Sequence, residues 1–164
     1  MILNKVIDDK SLIDRIKTLE SIQDIIKLKS VYCRYCDADY DPKKLANLFC
    51  EDGILNLGKK FGIYKGKNEI INHFEEISQQ FVFASHLVTN PEINIEDDIK
   101  AFGTWQLIMP CNLHINDKTD SMWLFGEYQD KFIFTNGEWK FLEIKVIHRI
   151  FEKHLDGWAS SSMN

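Results

Sequence analysis

The hydrophobic pattern changes period near residue 80. Before it, apolar residues recur at helical spacing; after it, they alternate as on strands. Over residues 21–41, a rotation of 100° per residue gathers Ile22, Ile25, Ile26, Leu28, Cys33, Tyr35 and Cys36 on one broad arc. Gln23, Lys27, Ser30 and Arg34 fall on the opposite, wet side. Tyr32 and Asp37 lie inside the apolar arc, on either side of Cys36. A phenol and a carboxylate on a core-facing stripe cost free energy unless they are hydrogen-bonded. Either each is tied to a nearby backbone group, or the helix covers a polar-lined cavity.

The same pattern predicts the remaining elements. Leu12, Ile13, Ile16 and Leu19 continue the helical spacing back to a Ser11 cap. This arm, residues 1–20, either packs on its own domain or reaches over a neighbouring subunit. Pro42, with Asp41 as N-cap, opens a short second helix over residues 42–49. A turn at 50–53, a strand at 54–57, a hairpin turn at 58–60 and a partner strand at 61–64 follow. A third helix begins after Gly66 and presents Ile70, Ile71, Phe74 and Ile77. Strands are then expected at 81–88, 92–96, 99–113, 121–135 and 138–151, with a polar loop at 114–119 and a strong Asn136-Gly137 turn. Pro110 fits a strand only at an edge or a bulge. This order is α+β: a bent antiparallel sheet, residues 21–152, with helices on one side and a loose tail at 153–164. Strands this apolar imply that both faces are covered, one by helices and the other by a second subunit.

Composition narrows the partners. The chain has 164 residues and a net charge of −5, with no basic stripe, which argues against nucleic acid. No apolar run approaches a membrane span, and acids interrupt the N-terminal segment where a signal peptide would be apolar. A cytoplasmic location is expected, with Cys33, Cys36, Cys50 and Cys111 as reduced thiols. Cys33 and Cys36 form a lone CxxC within a helix and lack the two further ligands of a zinc site. They read as core, and no metal or cofactor is expected.

Candidate chemistry lies on the strands. His86, in a strand, shares an apolar face with Val82, Ala84 and Val88. Trp105, Leu107, Met109 and Cys111 share one face of their strand, and Gln106, Ile108 and Pro110 the other; parity alone leaves open which face is inside. Arg149 and His148 point to opposite faces, so only one of them reaches a pocket. Arg149 could bind an anionic group of a ligand or pair with an acid at a rim.

The element order resembles the SnoaL-like branch of the nuclear transport factor 2-like superfamily, which includes polyketide cyclases, scytalone dehydratase and bile-acid dehydratases. The matching strings run from Leu28 to Asp37, from Leu45 to Gly53, at His86 with Asn90-Pro91-Glu92-Ile93, and at Gly103-Thr104-Trp105. They continue at Gly126–Asp130, at Gly137–Lys140 and from Val146 to Phe151. The resemblance implies a cone: a strongly curved sheet around a deep central pocket that N-terminal helices close. It also implies a cofactor-independent lyase, isomerase or cyclase acting on a small hydrophobic ring-containing substrate. The apolar strand faces, for their part, predict a homo-oligomer, a dimer or a trimer. In the matched positions, His86 would be the base, Asp37 its orienter and Tyr32 a hydrogen-bond donor. Arg149, Met109, Trp105 and Cys111 are the candidate substrate contacts. Met109 and Cys111 stand where the dehydratases carry an Asp and a His. That departure supports the alternative of a ligand-binding or dimerisation module without chemistry.

Overall fold

A computed structural model describes residues 9–155. Helix α1 (Asp9–Asp37) is continuous across the expected arm boundary at residue 20. Leu12, Ile13, Ile16 and Leu19 are exposed, whereas Ile25, Lys29, Tyr32, Cys33 and Cys36 form a buried stripe. The helix ends where Asp39 and Tyr40 both take positive φ, 62° and 52°. This left-handed pair turns the chain into α2 (Pro42–Ala46), whose N-cap Asp41 accepts from the Lys44 amide at 3.0 Å.

The hairpin turn expected at 58–60 is instead a one-turn helix, α3 (Gly58–Phe61), between β1 (Phe49–Asn56) and β2 (Ile63–Lys65). Helix α4 (Gly66–Ser78) buries Ile70, His73 and Phe74. The strand expected at 81–88 is broken: β3 (Phe81–Ala84) and β4 (Leu87–Ile95) flank Ser85 and His86. Both pair with β5 (Lys100–Ile115). Pro110 is therefore not at an edge strand. It lies opposite the break, where Ser85 donates to its carbonyl at 3.1 Å and its missing N–H costs only the return bond.

β5 joins β6 (Lys118–Thr135) through Asn116-Asp117, both at positive φ, so the expected loop shrinks to a two-residue turn. Asn136-Gly137 joins β6 to β7 (Glu138–Lys153) in the same way. Among the described residues the strands form one unclosed sheet in the order β2-β1-β7-β6-β5-β3, with β4 on β5. It is antiparallel except for the parallel β1–β7 pair. The concave face carries Leu107, Met109, Leu124, Tyr128, Phe132, Phe141 and Ile144; α1 and α4 pack across it, and α2 packs against both helices.

Near the end of β7 the ladder slips by one residue: Gly126 faces His148, but Phe125 faces Ile150. A Cβ on Gly126 would come within 2.6 Å of the Ile147 carbonyl, so the bulge requires glycine there. His148 faces inward by simple alternation with Ile144 and Val146, which leaves Arg149 on the convex face, and the bulge then brings Phe151 inward.

Candidate functional site

The sheet and helices enclose a cavity of about 430 Å³. Leu55, Leu107, Met109, Leu124 and Val146 supply apolar wall, and Tyr32, Tyr40, Tyr128, His73, His86 and His148 supply polar groups. Exposed Lys60 and Glu76 mark its mouth.

His86 is fixed by the strand break. Its backbone N–H donates to both carboxylate oxygens of Asp37, at 2.9 and 3.1 Å, and its ring Nδ1 lies 2.6 Å from Asp37 Oδ1. Because β3 and β4 pair with β5 on the other side, this amide points off the sheet toward the end of α1. An ionised carboxylate accepts only, so Nδ1 carries the proton and Nε2 is left as the basic nitrogen. The imidazole is 7% exposed and the carboxylate 32%. Asp37 thus keeps contact with water through a shallow groove beside Arg34, while His86 lines both groove and cavity.

Tyr32 lines the cavity one helical turn before Cys36. Burial pushes its phenol well above the ordinary value, and Tyr40 and Tyr128 are raised by burial as well. All three are therefore neutral hydroxyls, able to donate. Tyr40, held at positive φ, sets its ring against Phe81, Phe74 and His86 at centroid distances of 5.5, 6.3 and 6.2 Å.

Behind Tyr32 and Tyr128 lies a pair that the sequence pattern does not announce. Lys29 Nζ is 2.8 Å from Asp130 Oδ2, with the side chains 1% and 0% exposed. The ammonium sits 3.1 Å from the Tyr128 ring centroid, 5.0 Å from Tyr32 and 5.4 Å from Trp105. Burial raises Asp130 to about 6, against the lowering pull of Lys29.

Of the expected substrate contacts, Met109 lines the cavity and three do not. Trp105 folds back over Gly103, its ring 2.7 Å from where a Cβ would stand, and packs on Phe132 in the core. Cys111 is fully buried opposite Ala84 on β3, and burial pushes its thiol up to about 12. Arg149 is on the convex face, 2.7 Å from Glu127. His148 takes the inward place, 4.6 Å from Phe61 between ring centroids; burial, then Lys60, lowers its pKa. Cys33 and Cys36 are buried thiols, Cys33 raised to about 11 by burial, as a core role requires. No group of three or more His, Cys, Asp or Glu among the described residues is arranged to hold a metal. No helix among them is long and apolar enough to cross a membrane.

N-terminal helices packed on a large, curved, unclosed and mostly antiparallel sheet are the NTF2-like fold. The sequence matches the SnoaL-like domain over residues 17–145, and the chain belongs to that family. No curated protein matches it. Among solved structures it is similar to a protein described as a scytalone dehydratase from Novosphingobium aromaticivorans DSM 12444. The TM-score is 0.76 at 20% identity, over 85% of this chain and 91% of that one. A protein described as an aromatic ring hydroxylase from Novosphingobium aromaticivorans gives 0.76 at 19%, over 84% and 96%. The hexachlorocyclohexane dehydrochlorinase LinA-type3 from Novosphingobium barchaimii LL02 gives 0.71 at 20%, over 86% and 92%. Likeness at this identity carries the fold and leaves the reaction open.

Proposed function

We propose that the protein is a cofactor-independent lyase, isomerase or cyclase that acts on a small hydrophobic ring-containing substrate by proton transfer through His86. The observation that carries this reading is the 2.6 Å bond from His86 Nδ1 to Asp37 on the wall of a largely apolar cavity. Asp37 fixes the tautomer and stabilises the imidazolium; Nε2 takes a proton from a carbon of the bound ring. The electron pair left on carbon forms a double bond as a leaving group departs from the neighbouring carbon, or is delocalised into a carbonyl. Tyr32 donates a hydrogen bond to the leaving or carbonyl oxygen. The neighbours named as dehydratase and dehydrochlorinase support elimination as the first chemistry to try.

The test reads the proton transfer itself, whatever product forms. The protein is incubated in D2O with cyclic ketones and with ring compounds bearing a halide or hydroxyl beside an acidic C–H. Mass spectrometry then reads deuterium uptake or loss of the leaving group. Turnover by the unaltered protein that disappears in His86→Ala is expected; turnover unchanged in that variant would remove His86 from the mechanism.

A second reading, ligand binding without chemistry, is favoured by Met109, an adaptable apolar side chain in the wall where the resembling dehydratases carry a polar group. The proposed assembly is a homodimer in the cytoplasm. The exposed Leu12, Ile13, Ile16 and Leu19 of α1, with Val82, Phe83, Leu87 and Ile150, supply the apolar surface that a second copy would cover.

A further inference from the structure

We propose that His73 is a substrate-binding residue of the cavity, and that the ligand is a ring compound carrying a hydroxyl or carbonyl oxygen that hydrogen-bonds His73 Nε2. This rests on the reading of the cavity as a ligand site and adds the class of ligand. His73 projects from α4, is 6% exposed and lines the cavity. Its Nε2 is shut off from solvent and meets no hydrogen-bond partner among the described residues. A buried imidazole nitrogen in that state costs free energy that a cavity built only for packing would not retain, since Phe or Leu would fill the place.

The surroundings explain how an oxygen reaches it. Tyr64 stacks on the His73 ring at 4.0 Å and 24°. Tyr64 belongs to β2, three residues long and at the edge of the sheet, so its displacement breaks few ladder bonds. Along the wall, the rings of Phe74 and Tyr40 lie between His73 and His86, in steps of 5.5, 6.3 and 6.2 Å. Aromatic wall therefore separates the two histidines, and a flat ring can lie against it while its oxygen meets His73. Burial lowers the His73 pKa to about 4, so the imidazole is neutral at pH 7 and suits a neutral oxygen rather than a carboxylate.

The probes are 2-naphthol and 2-methylnaphthalene, which differ by a hydroxyl in place of a methyl of similar size and test binding without turnover. Each is titrated by NMR into protein labelled with 15N-histidine. The naphthol is expected to bind about fivefold more tightly than the hydrocarbon, the worth of one hydrogen bond. The His73 Nε2 resonance should move with the naphthol and not with the hydrocarbon. In His73→Phe the two affinities should become equal, with that of the hydrocarbon unchanged. A His73 resonance unmoved by bound naphthol, or a preference surviving in folded His73→Phe, would overturn the assignment of His73 alone. Failure of both probes to bind the unaltered protein would overturn the cavity reading and this one together. The resonance test uses the unaltered protein and so stands even where the variant does not fold.

Discussion

Lys29 Nζ and Asp130 Oδ2 meet at 2.8 Å in the floor beneath Tyr32 and Tyr128, with neither side chain open to water. Removing both charges from solvent is expensive, and their attraction with the surrounding rings offsets it only while both are present. Lys29→Met strands a buried carboxylate and should cost about 3–5 kcal/mol at neutral pH. The loss should shrink on acidification. Burial already raises Asp130 to about 6, and without the cation it rises further. The folded variant then binds a proton that the unfolded chain, near its ordinary carboxylate pKa, has released, so stability falls as pH rises above about 4. Urea unfolding at pH 5 and pH 7.5 checks this. Lys29→Met with Asp130→Leu should recover most of the loss, and a single variant as stable as wild type at pH 7.5 would contradict the account.

Asp37 has two tasks that substitutions separate. It accepts the His86 amide, a structural bond, and it holds Nδ1, a chemical one. Asp37→Asn keeps an oxygen for the amide but not the charge that stabilises an imidazolium. Proton exchange from carbon should fall by about 10²–10⁴ while the melting temperature holds. Asp37→Ala should lose both, with about 1–3 kcal/mol of stability gone with the charged acceptor. Equal melting temperatures for the Asn and Ala variants would show that the amide bond contributes nothing.

The long helix, the three long strands and the Asn136-Gly137 turn are legible in the sequence because each rests on a local period or a local turn preference. What stays hidden depends on contacts distant in sequence. Lys29 falls four residues after Ile25 and three before Tyr32, within the buried stripe, but its partner is 101 residues away. His73 falls three residues after Ile70 and four before Ile77, so its place on the buried face of α4 is readable from spacing. Alternation alone runs a continuous strand through His86; the break is legible only once Pro110 is seen opposite Ser85. Parity alone leaves Arg149 free to face the pocket; an extra residue on β7 opposite the Lys131–Phe132 step moves the inward set from Trp139 and Phe141 to Ile144, Val146 and His148, and puts Arg149 outside.

That reversal predicts an ineffective mutation. Arg149 pairs with Glu127 on the convex face, with 60% of its side chain exposed. Surface pairs of this kind contribute about 0–1 kcal/mol. Arg149→Ala should leave turnover and ligand affinity within about twofold and stability within about 1 kcal/mol. His148→Ala, which opens the cavity wall beside Phe61, should change affinity more. A large loss of turnover in Arg149→Ala would return that residue to the site.

The proposed dimer makes the apolar exposure of α1 a matter of concentration. Light scattering at micromolar concentration should give twice the 19.2 kDa chain mass. Ile16→Lys with Leu19→Lys should shift the mass toward one chain, since burying an unpaired ammonium at an interface is costly. A monomeric mass for the unaltered protein would contradict the assembly.

Burial lowers His73 to about 4 and lowers His148 too, so both are neutral in the folded protein near neutral pH. In the unfolded chain each titrates near 6.5. Between about 4 and 6.5 the unfolded state therefore binds more protons than the folded one, and stability rises with pH across that window. The contribution is fully present above about 6.5 and is lost as pH falls toward 4. For His73 it amounts to a few kcal/mol at most, reduced by whatever solvent in the open cavity screens. His73→Phe removes that proton uptake and fills nearly the same volume against Tyr64. Urea unfolding every half unit from pH 4 to pH 7 should give a shallower slope for the variant than for wild type. Its stability should be the higher of the two at pH 4.5, where the unaltered imidazole resists protonation only by weakening the fold. Parallel profiles would mean that the imidazole is solvated in the folded protein, and that the space around Tyr64 is wetter than its geometry indicates.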